Sequence, residues 1–346
     1  MGQSSGAPFD PRRVRRALFI RTDRLGETLL NLPAIAALKA GLPWASVTLL
    51  VQPELTALLA RLPGVDEVWA DEAQTQPWWA HAIRLAGRLR RGRFDLAIVS
   101  NPKKSLHLGI WLAGIRWRVG YGRKWGGLLT HRLADRKGLG ERHEVQYNLD
   151  LLQPLGLPTT APPCRLPISD EDDRQVRAWL GGALGQPGPP LVVVHPWTSN
   201  PAKCWPAPRY RELIERLARR LSASVVVIGG SDERAHLPAV LSDGLPVTDL
   251  VGRLTLAQSA ALLARASVLV SNDSGPVHLA AAVGSPTVVL FGTSDPAAGP
   301  RRWGPWGAGH AVICRPSINE ITVDEVFDRT VEQLKRRAGP ASEVLG

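Results

Sequence analysis

The chain has 346 residues, 44% of them hydrophobic, and its 42 Lys and Arg against 31 Asp and Glu give a formal net charge of +11. That length suits two domains, each able to bury its own core, and no apolar run reaches the roughly 18 to 20 residues that span a bilayer. The basic surface favours anionic partners, among them acidic headgroups and phosphorylated glycans; it comes with no helix-turn-helix, RRM or OB signature, so no nucleic-acid partner is expected.

The opening MGQSSGAPFDPRRVRR has no apolar signal core, and Cys164, Cys204 and Cys314 are widely spaced without a metal-ligand pattern. A cytoplasmic location, no disulfide framework and no zinc site are the expectation. Taken in chain order, ALFI reads as a strand and is followed by a helix over residues 26–40, on the apolar spacing of Leu29, Leu30, Leu32, Ile35, Ala36 and Leu38. Next come a VTLLV strand, a helix near 53–61, the DEVWA strand, an arginine-rich helix near 78–91 and the FDLAIVS strand. NPKKSLH and GYGRKWGG read as loops.

LPTTAPPCRLPI and GGALGQPGPP interrupt the alternation, as linkers do. A second round then opens with LVVVHP and continues through a helix near 208–220, SVVVIGG, a helix from about 232, TLAQSAALLARA as a helix, SVLVSN, a helix from Gly275 and PTVVLFG. TVDEVFDRTVEQLKRR closes the chain as an amphipathic helix. Short apolar runs between helices call for parallel sheets covered on both faces. The fold class is therefore α/β, with two Rossmann-like domains over residues 1–165 and 166–346 whose parallel sheets face a central cleft, and a last helix free to pack back on the first domain.

Ligands of such sheets bind at the carboxyl ends of strands, and three of those ends carry chemistry. In VVVHPWTSNPAKCWP, the hydroxyls of Thr198 and Ser199 and the ammonium of Lys203 can hold a diphosphate, since each supplies a donor and the lysine a full charge. In SVVVIGGSDERAH, Asp232 or Glu233 can accept from ribose hydroxyls, or simply cap a helix. In SVLVSNDSGPVHLAAAVGSPTVVLFG, Asp273 precedes a helix entry where Ser274 can cap, Gly275 lets a ligand approach the backbone and Pro276 suits the first turn. Backbone N–H groups there make an anion site, with His278 in the same turn.

Earlier in the chain, RTDRLGETLLNLPAI has one glycine followed by one acid, Glu27, in a first helical turn. The acidic run Asp170-Glu171-Asp172-Asp173 sits at a helix start and reads as solvated and capping rather than metal-binding. Twelve tryptophans stand against three tyrosines, and Ile115-Arg116-Trp117-Arg118 and Arg301-Arg302-Trp303 place Trp beside Arg. That pairing suits a membrane interface, with buried or loop tryptophans as the alternative.

NDSGPVHLAAAVGSPTVVLFG, HPWTSNPAKCWP and RLGETLLNLPAI together resemble glycosyltransferase family 9, which includes the ADP-heptose:lipopolysaccharide heptosyltransferases. The resemblance runs from Arg21 to the segment at 302–307. It implies a GT-B fold, an acceptor held by the N-terminal domain and ADP-heptose by the C-terminal one. It also implies inverting transfer, without metal or cofactor, to a lipopolysaccharide core at the cytoplasmic face of the inner membrane, where the protein would sit peripherally. By the same resemblance Thr198, Ser199 and Lys203 contact the diphosphate, with Lys203 supporting catalysis, while Asp273, Ser274, Gly275 and His278 complete the nucleotide-sugar site and Asp232 is a ribose ligand.

The family commonly has a catalytic aspartate where Glu27 stands, so the carboxylate is kept with a reach one methylene longer. Lys103, Lys104, Arg123 and Lys124 are candidates to meet acidic groups of the acceptor. A GT-B epimerase, or a nucleotide-sugar-binding protein that has lost catalysis, is the alternative reading.

Overall fold

In a computed structural model, residues 3–4, 8–72, 77–160, 162, 164–181 and 188–338 are described. Parts of the N-terminal stretch and most of the Gly-rich linker at 181–190 lie outside them. The chain divides into two compact units, Met1–Leu166 and Pro167–Gly346.

The first unit contains β1 (Gln3–Ser4), β2 (Arg16–Ile20), α1 (Leu25–Leu29), α2 (Leu32–Gly41), β3 (Ser46–Val51), α3 (Thr56–Leu59) and β4 (Glu67–Ala70). It continues through α4 (Trp78–Gly92), β5 (Leu96–Val99), α5 (Lys104–Leu112), β6 (Trp117–Tyr121), β7 (His131–Leu133) and α6 (Glu144–Asp150). Its strands lie in the order β1-β7-β6-β5-β2-β3-β4, parallel throughout except for β1 against β7. β2, β3 and β5 are buried almost end to end, which is why their sequences are continuous apolar runs rather than alternating ones.

The second unit holds α7 (Asp170–Leu180), β8 (Leu191–His195), α8 (Ala207–Arg220), β9 (Ser224–Val227), α9 (Leu237–Val240), β10 (Val247–Asp249) and α10 (Leu256–Arg265). β11 (Val268–Asn272), α11 (Gly275–Val283), β12 (Thr287–Gly292), α12 (Pro300–Trp303), β13 (Ala311–Arg315) and α13 (Val323–Ala338) follow. The order β10-β9-β8-β11-β12-β13 is parallel throughout. From β2 in the first unit and β8 in the second, the chain starts mid-sheet, winds outward one way, then returns and winds outward the other way, which is the doubly wound arrangement; β1 adds at the edge beside β7. α13 packs on α8 and on the β11–β13 side of its own unit's sheet.

Several sequence expectations need correction. The single helix over 26–40 is two helices, because Pro33 has no N–H for the Leu29 carbonyl and its ring crowds that carbonyl. NPKKSLH is not a loop: its second lysine starts α5. The helix from 232 is a 3-10 turn over Asp232–His236 before the short α9. β6, β7, β10, β13 and α6 were not anticipated; most are short or half-polar, which leaves little periodicity to read.

Histidines whose pKa is lowered by burial make stability depend on pH in both units: His107 and His131 in the first, the half-buried His310 in the second. His107 of α5 donates from Nδ1 to the Lys124 carbonyl at 2.8 Å, and burial pushes its pKa below the ordinary 6.5, the carbonyl contact offsetting only part. Burial lowers His310 in the same way, against a smaller opposing contact with the Trp306 backbone. For a base depressed by folding, the unfolded chain takes the proton first, so stability is full above the unfolded value and is lost as pH falls below it. The thermal midpoint is expected to drop between pH 7 and pH 5, by about 2–4 °C per kcal/mol for units of this size. His107→Gln should flatten that slope in calorimetry; a wild-type midpoint that is level or rises on acidification contradicts the account.

Candidate functional site

Where the winding direction reverses, two neighbouring strands send their following chain to opposite faces of the sheet, and a crevice opens at their carboxyl ends. In the second unit those strands are β8 and β11. The loop after β8 is anchored by Asn272 at the end of β11: its Oδ1 accepts from the Trp205 N–H at 3.0 Å and its Nδ2 donates to the Pro196 carbonyl at 2.8 Å. Asn272 is fully buried, and Trp205 below it donates from Nε1 to the Ile321 carbonyl at 2.9 Å. This latch holds the polar residues of the loop over the strand ends.

Lys203 Nζ lies 2.5 Å from Asp273 Oδ2, and the Thr198 hydroxyl is 3.5 Å from the Asp273 carbonyl. The structure thus brings Thr198, Lys203 and Asp273 together, with Ser199 exposed on the same loop. Ser274 departs from expectation. It precedes α11 but makes no side-chain cap bond; its Oγ lies 3.0 Å from Ser271 Oγ and 3.3 Å from His195 Nδ1. The first turn of α11, from Gly275 to the buried His278, is therefore not capped by the Ser274 hydroxyl.

His195, at the end of β8, is the site residue that sequence reasoning passed over, and its place in HPWTSNP directly before the polar loop was the available signal. Its Nδ1 lies 3.1 Å from Ser271 Oγ, and its Nε2 lies 3.6 Å from Glu233 Oε2. Glu233 also accepts from the Gly230 N–H at 2.7 Å. Burial pushes the Glu233 carboxyl upward, but His195, the Gly230 amide and His236 outweigh it and hold the group below its usual 4.5. Asp232 is exposed beside it. Of the two acids after β9, Glu233 is the one tied into the β8 end.

In the first unit the reversal falls between β2 and β5. Lys103, just before α5, bridges the two strand ends by donating to the Thr22 carbonyl at 2.7 Å and to Thr22 Oγ1 at 2.9 Å. Asp23 is engaged by Asn101 Nδ2 at 3.0 Å, Arg21 at 3.3 Å and Lys103 at 3.6 Å. Glu27, in the first turn of α1, differs: among the described residues its carboxylate has no hydrogen-bond or ion-pair partner. Only its backbone is used, the carbonyl accepting from Asn31 Nδ2 at 2.7 Å.

Below α1 lies a buried polar network. Asn31 Oδ1 accepts from Ser100 Oγ at 2.7 Å, Asn148 Nδ2 donates to the Leu30 carbonyl at 3.0 Å, and Arg21 donates to Ser100 Oγ at 3.0 Å. Lys137 pairs with Glu144 at 2.6 Å, both almost inaccessible. The other acceptor candidates stand apart from Lys103: Lys104 is exposed on α5, Arg123 is paired with Asp135 at 2.7 Å, and Lys124 occupies a left-handed turn.

The acidic run at the start of α7 is spent locally. Ser169 caps Asp172, and Asp173 pairs with Arg265 and Arg177. Among the described residues no three His, Cys, Asp or Glu side chains converge as a metal site, and no helix is long and apolar enough to cross a membrane.

The second unit carries a hydroxyl-and-lysine loop over one strand end and an Asp-Ser-Gly-Pro helix entry over its neighbour, and the first unit carries an open glutamate at its own reversal. The model of glycosyltransferase family 9 (heptosyltransferase) matches residues 82–326. The chain belongs to this family. It is a glycosyltransferase, and its two units are the Rossmann-like halves of the GT-B fold. It is 26% identical to lipopolysaccharide heptosyltransferase 3 of Escherichia coli K12 over 328 residues, which cover 92% of this chain and 93% of that protein.

Among solved structures, the family 9 glycosyl transferase of Veillonella parvula superposes with a TM-score of 0.82 at 20% identity, covering 93% of this chain and 97% of that one. The ADP-heptose lipopolysaccharide heptosyltransferase II of E. coli does so at 0.77 and 23%, covering 94% and 100%.

The glycosyltransferase site depends on close packing under its loop. Trp197 lies against Gly229, where an added Cβ would come within 2.7 Å of the indole. Gly229→Ala is expected to destabilise the protein by about 1–3 kcal/mol through overpacking, seen as a lower denaturation midpoint in urea. An unchanged midpoint would mean that the Trp197 loop gives way freely.

Proposed function

We propose that this glycosyltransferase moves a heptose from ADP-heptose to a lipopolysaccharide core or related anionic glycan, with inversion and without a metal. Residues 1–165 hold the acceptor and 166–346 the nucleotide sugar. The observation that carries the reading is that the strand-end reversal of the first unit presents a carboxylate, Glu27, with no partner among the described residues, while that of the second unit presents a cationic loop built on Lys203. The names of the relatives, lipopolysaccharide heptosyltransferases, support the substrate class.

The acceptor hydroxyl attacks the anomeric carbon from the face opposite the diphosphate and gives its proton to Glu27, while the bond from that carbon to the diphosphate oxygen breaks. Asp23 and Glu144 are poor candidates for the base because cations and amides already hold them. Negative charge grows on the departing ADP. Lys203, the hydroxyls of Thr198 and Ser199 and the first-turn amides of α11 are disposed to stabilise it. Lys203 must then exchange Asp273 for the diphosphate.

His278 follows in the same turn, and Glu233 rather than Asp232 is the better-placed acid for the ribose. A glycolipid acceptor calls for peripheral work at an anionic membrane face, which the net charge of +11 favours.

Glu27→Gln keeps size and hydrogen bonding but cannot take a proton. It is expected to bind ADP-heptose as wild type does and to lose roughly 10²-fold or more in turnover, the scale of general base catalysis, while Glu27→Asp keeps part of the activity. A folded Gln variant within a few-fold of wild type removes Glu27 from the mechanism.

EDTA is expected to leave turnover unchanged. Loss of activity with chelator and its return with a divalent ion would overturn the metal-free transfer.

A further inference from the structure

The Arg-Trp pairs that stand out in the sequence do not form an interface: Trp117 is 1% exposed in the core, and Trp303 is half-buried and donates to the Ala297 carbonyl at 2.9 Å. A different set of side chains does reach solvent together. α4 and α5 lie side by side, so close that a Cβ on Gly109 would be 3.0 Å from Leu85 Cδ2, and Arg90 ties their ends by donating to the Leu112 carbonyl at 2.7 Å. Trp79 and Ile83 share one outer stripe of α4, while Lys104 and Trp111, two turns apart, share one of α5. Trp78 bridges to the turn after β6, its ring 5.1 Å from Trp125 and edge-on, with the Lys104 ammonium 6.0 Å from its centroid.

Trp78, Trp79, Ile83, Trp111 and Trp125 are 42–58% exposed. Contiguous apolar side chains on this scale mark interaction surfaces. The charge around them selects the partner. Residues 77–134 contain twelve Lys and Arg and a single acid, Asp95, and Asp95 is itself bound to the Arg15 and Arg16 amides at 2.7 and 3.0 Å. Arg123 is paired with Asp135, but Arg84, Arg91, Lys104 and Lys124 are exposed. Tryptophans amid such an excess of cations fit the headgroup layer of an anionic bilayer, where the indole spans the apolar boundary and the cations meet phosphates.

We propose that the outer face of α4 and α5, with the Trp125 turn, docks this protein on an anionic phospholipid surface through Trp79, Ile83 and Trp111. The inference rests on the membrane contact proposed above and names its surface. Binding to lipid needs neither donor nor acceptor, so it can fail while heptosyl transfer stands, and the reverse.

The test is co-sedimentation of the full chain with vesicles of phosphatidylcholine containing phosphatidylglycerol, against vesicles of phosphatidylcholine alone. The expected result is partition to the anionic vesicles only, weakening as salt rises toward 1 M, where the Debye length falls to about 3 Å. The triple variant Trp79→Ser/Ile83→Ser/Trp111→Ser should lose at least about ten-fold in partition, the scale of one large apolar side chain no longer buried. Its thermal midpoint and its transfer to a water-soluble acceptor should stay at wild-type values. Trp44→Ser, which alters an equally exposed tryptophan at 48% in another part of the unit, should bind as wild type.

Equal binding by the triple variant, equal binding to neutral vesicles, or no vesicle binding at all would overturn the proposal. So would a concentration-dependent dimer that the triple variant abolishes in the absence of lipid binding, which would assign the face to a second copy of the chain.

Discussion

Both candidate sites depend on one geometric constraint, the reversal of winding direction in a parallel sheet. Crossovers in such sheets are right-handed, so a chain that starts mid-sheet and builds outward one way must return to the middle and build the other way. At the return, the connections leaving β2 and β5, and those leaving β8 and β11, diverge to opposite faces. Nothing from the sheet itself then covers the carboxyl ends. Lys103, Asp23 and Glu27 gather at one reversal, and Lys203, Asp273 and His195 at the other.

What a crevice presents is decided by how its loops are held. In the second unit Asn272 does this with both ends of its amide, fixing Pro196 and Trp205 and so the loop between them. In the first unit the work falls to a buried network around Asn31, Ser100 and Asn148, which seizes the backbone at the break between α1 and α2. The Lys137–Glu144 pair belongs to the same region, where burial pushes the Lys137 pKa down while Glu144 pulls it up. Buried ion pairs add little net stability, yet removing one partner leaves an expensive uncompensated charge. The arrangement therefore tolerates few alternatives, and α1 is held in one direction with Glu27 at its start.

The tryptophans divide along similar lines. Trp205 and Trp117 are core residues, Trp197 packs on Gly229, and the exposed set on α4, α5 and the Trp125 turn belongs to neither core nor nucleotide site. Adjacency to arginine along the chain did not separate these classes. Arg116 stacks on the buried Trp117 at 4.9 Å, so a cation beside an indole is as compatible with a core edge as with a headgroup layer.

The α/β class, the two rounds of strands and helices, and the NDSGPVH and HPWTSNPAKCW segments were all legible in the sequence, because continuous apolar runs and strand-to-helix turn chemistry are local properties. The division into units falls between Leu166 and Pro167, one residue from where the Pro-rich linker suggested it. The interrupted helix at Pro33 was also written locally, but its apolar spacing runs unbroken through the proline and conceals it. Other features needed tertiary structure. That Glu233 rather than Asp232 meets His195, that Ser274 turns to His195 instead of capping α11, that Asp23 is tied while Glu27 is open, and that Trp79 and Trp111 share a surface all depend on partners many residues away. Periodicity shows which face of an element is apolar, but hydrogen-bond partners are set by strand order and crossover packing, and these bring together residues that no local pattern connects.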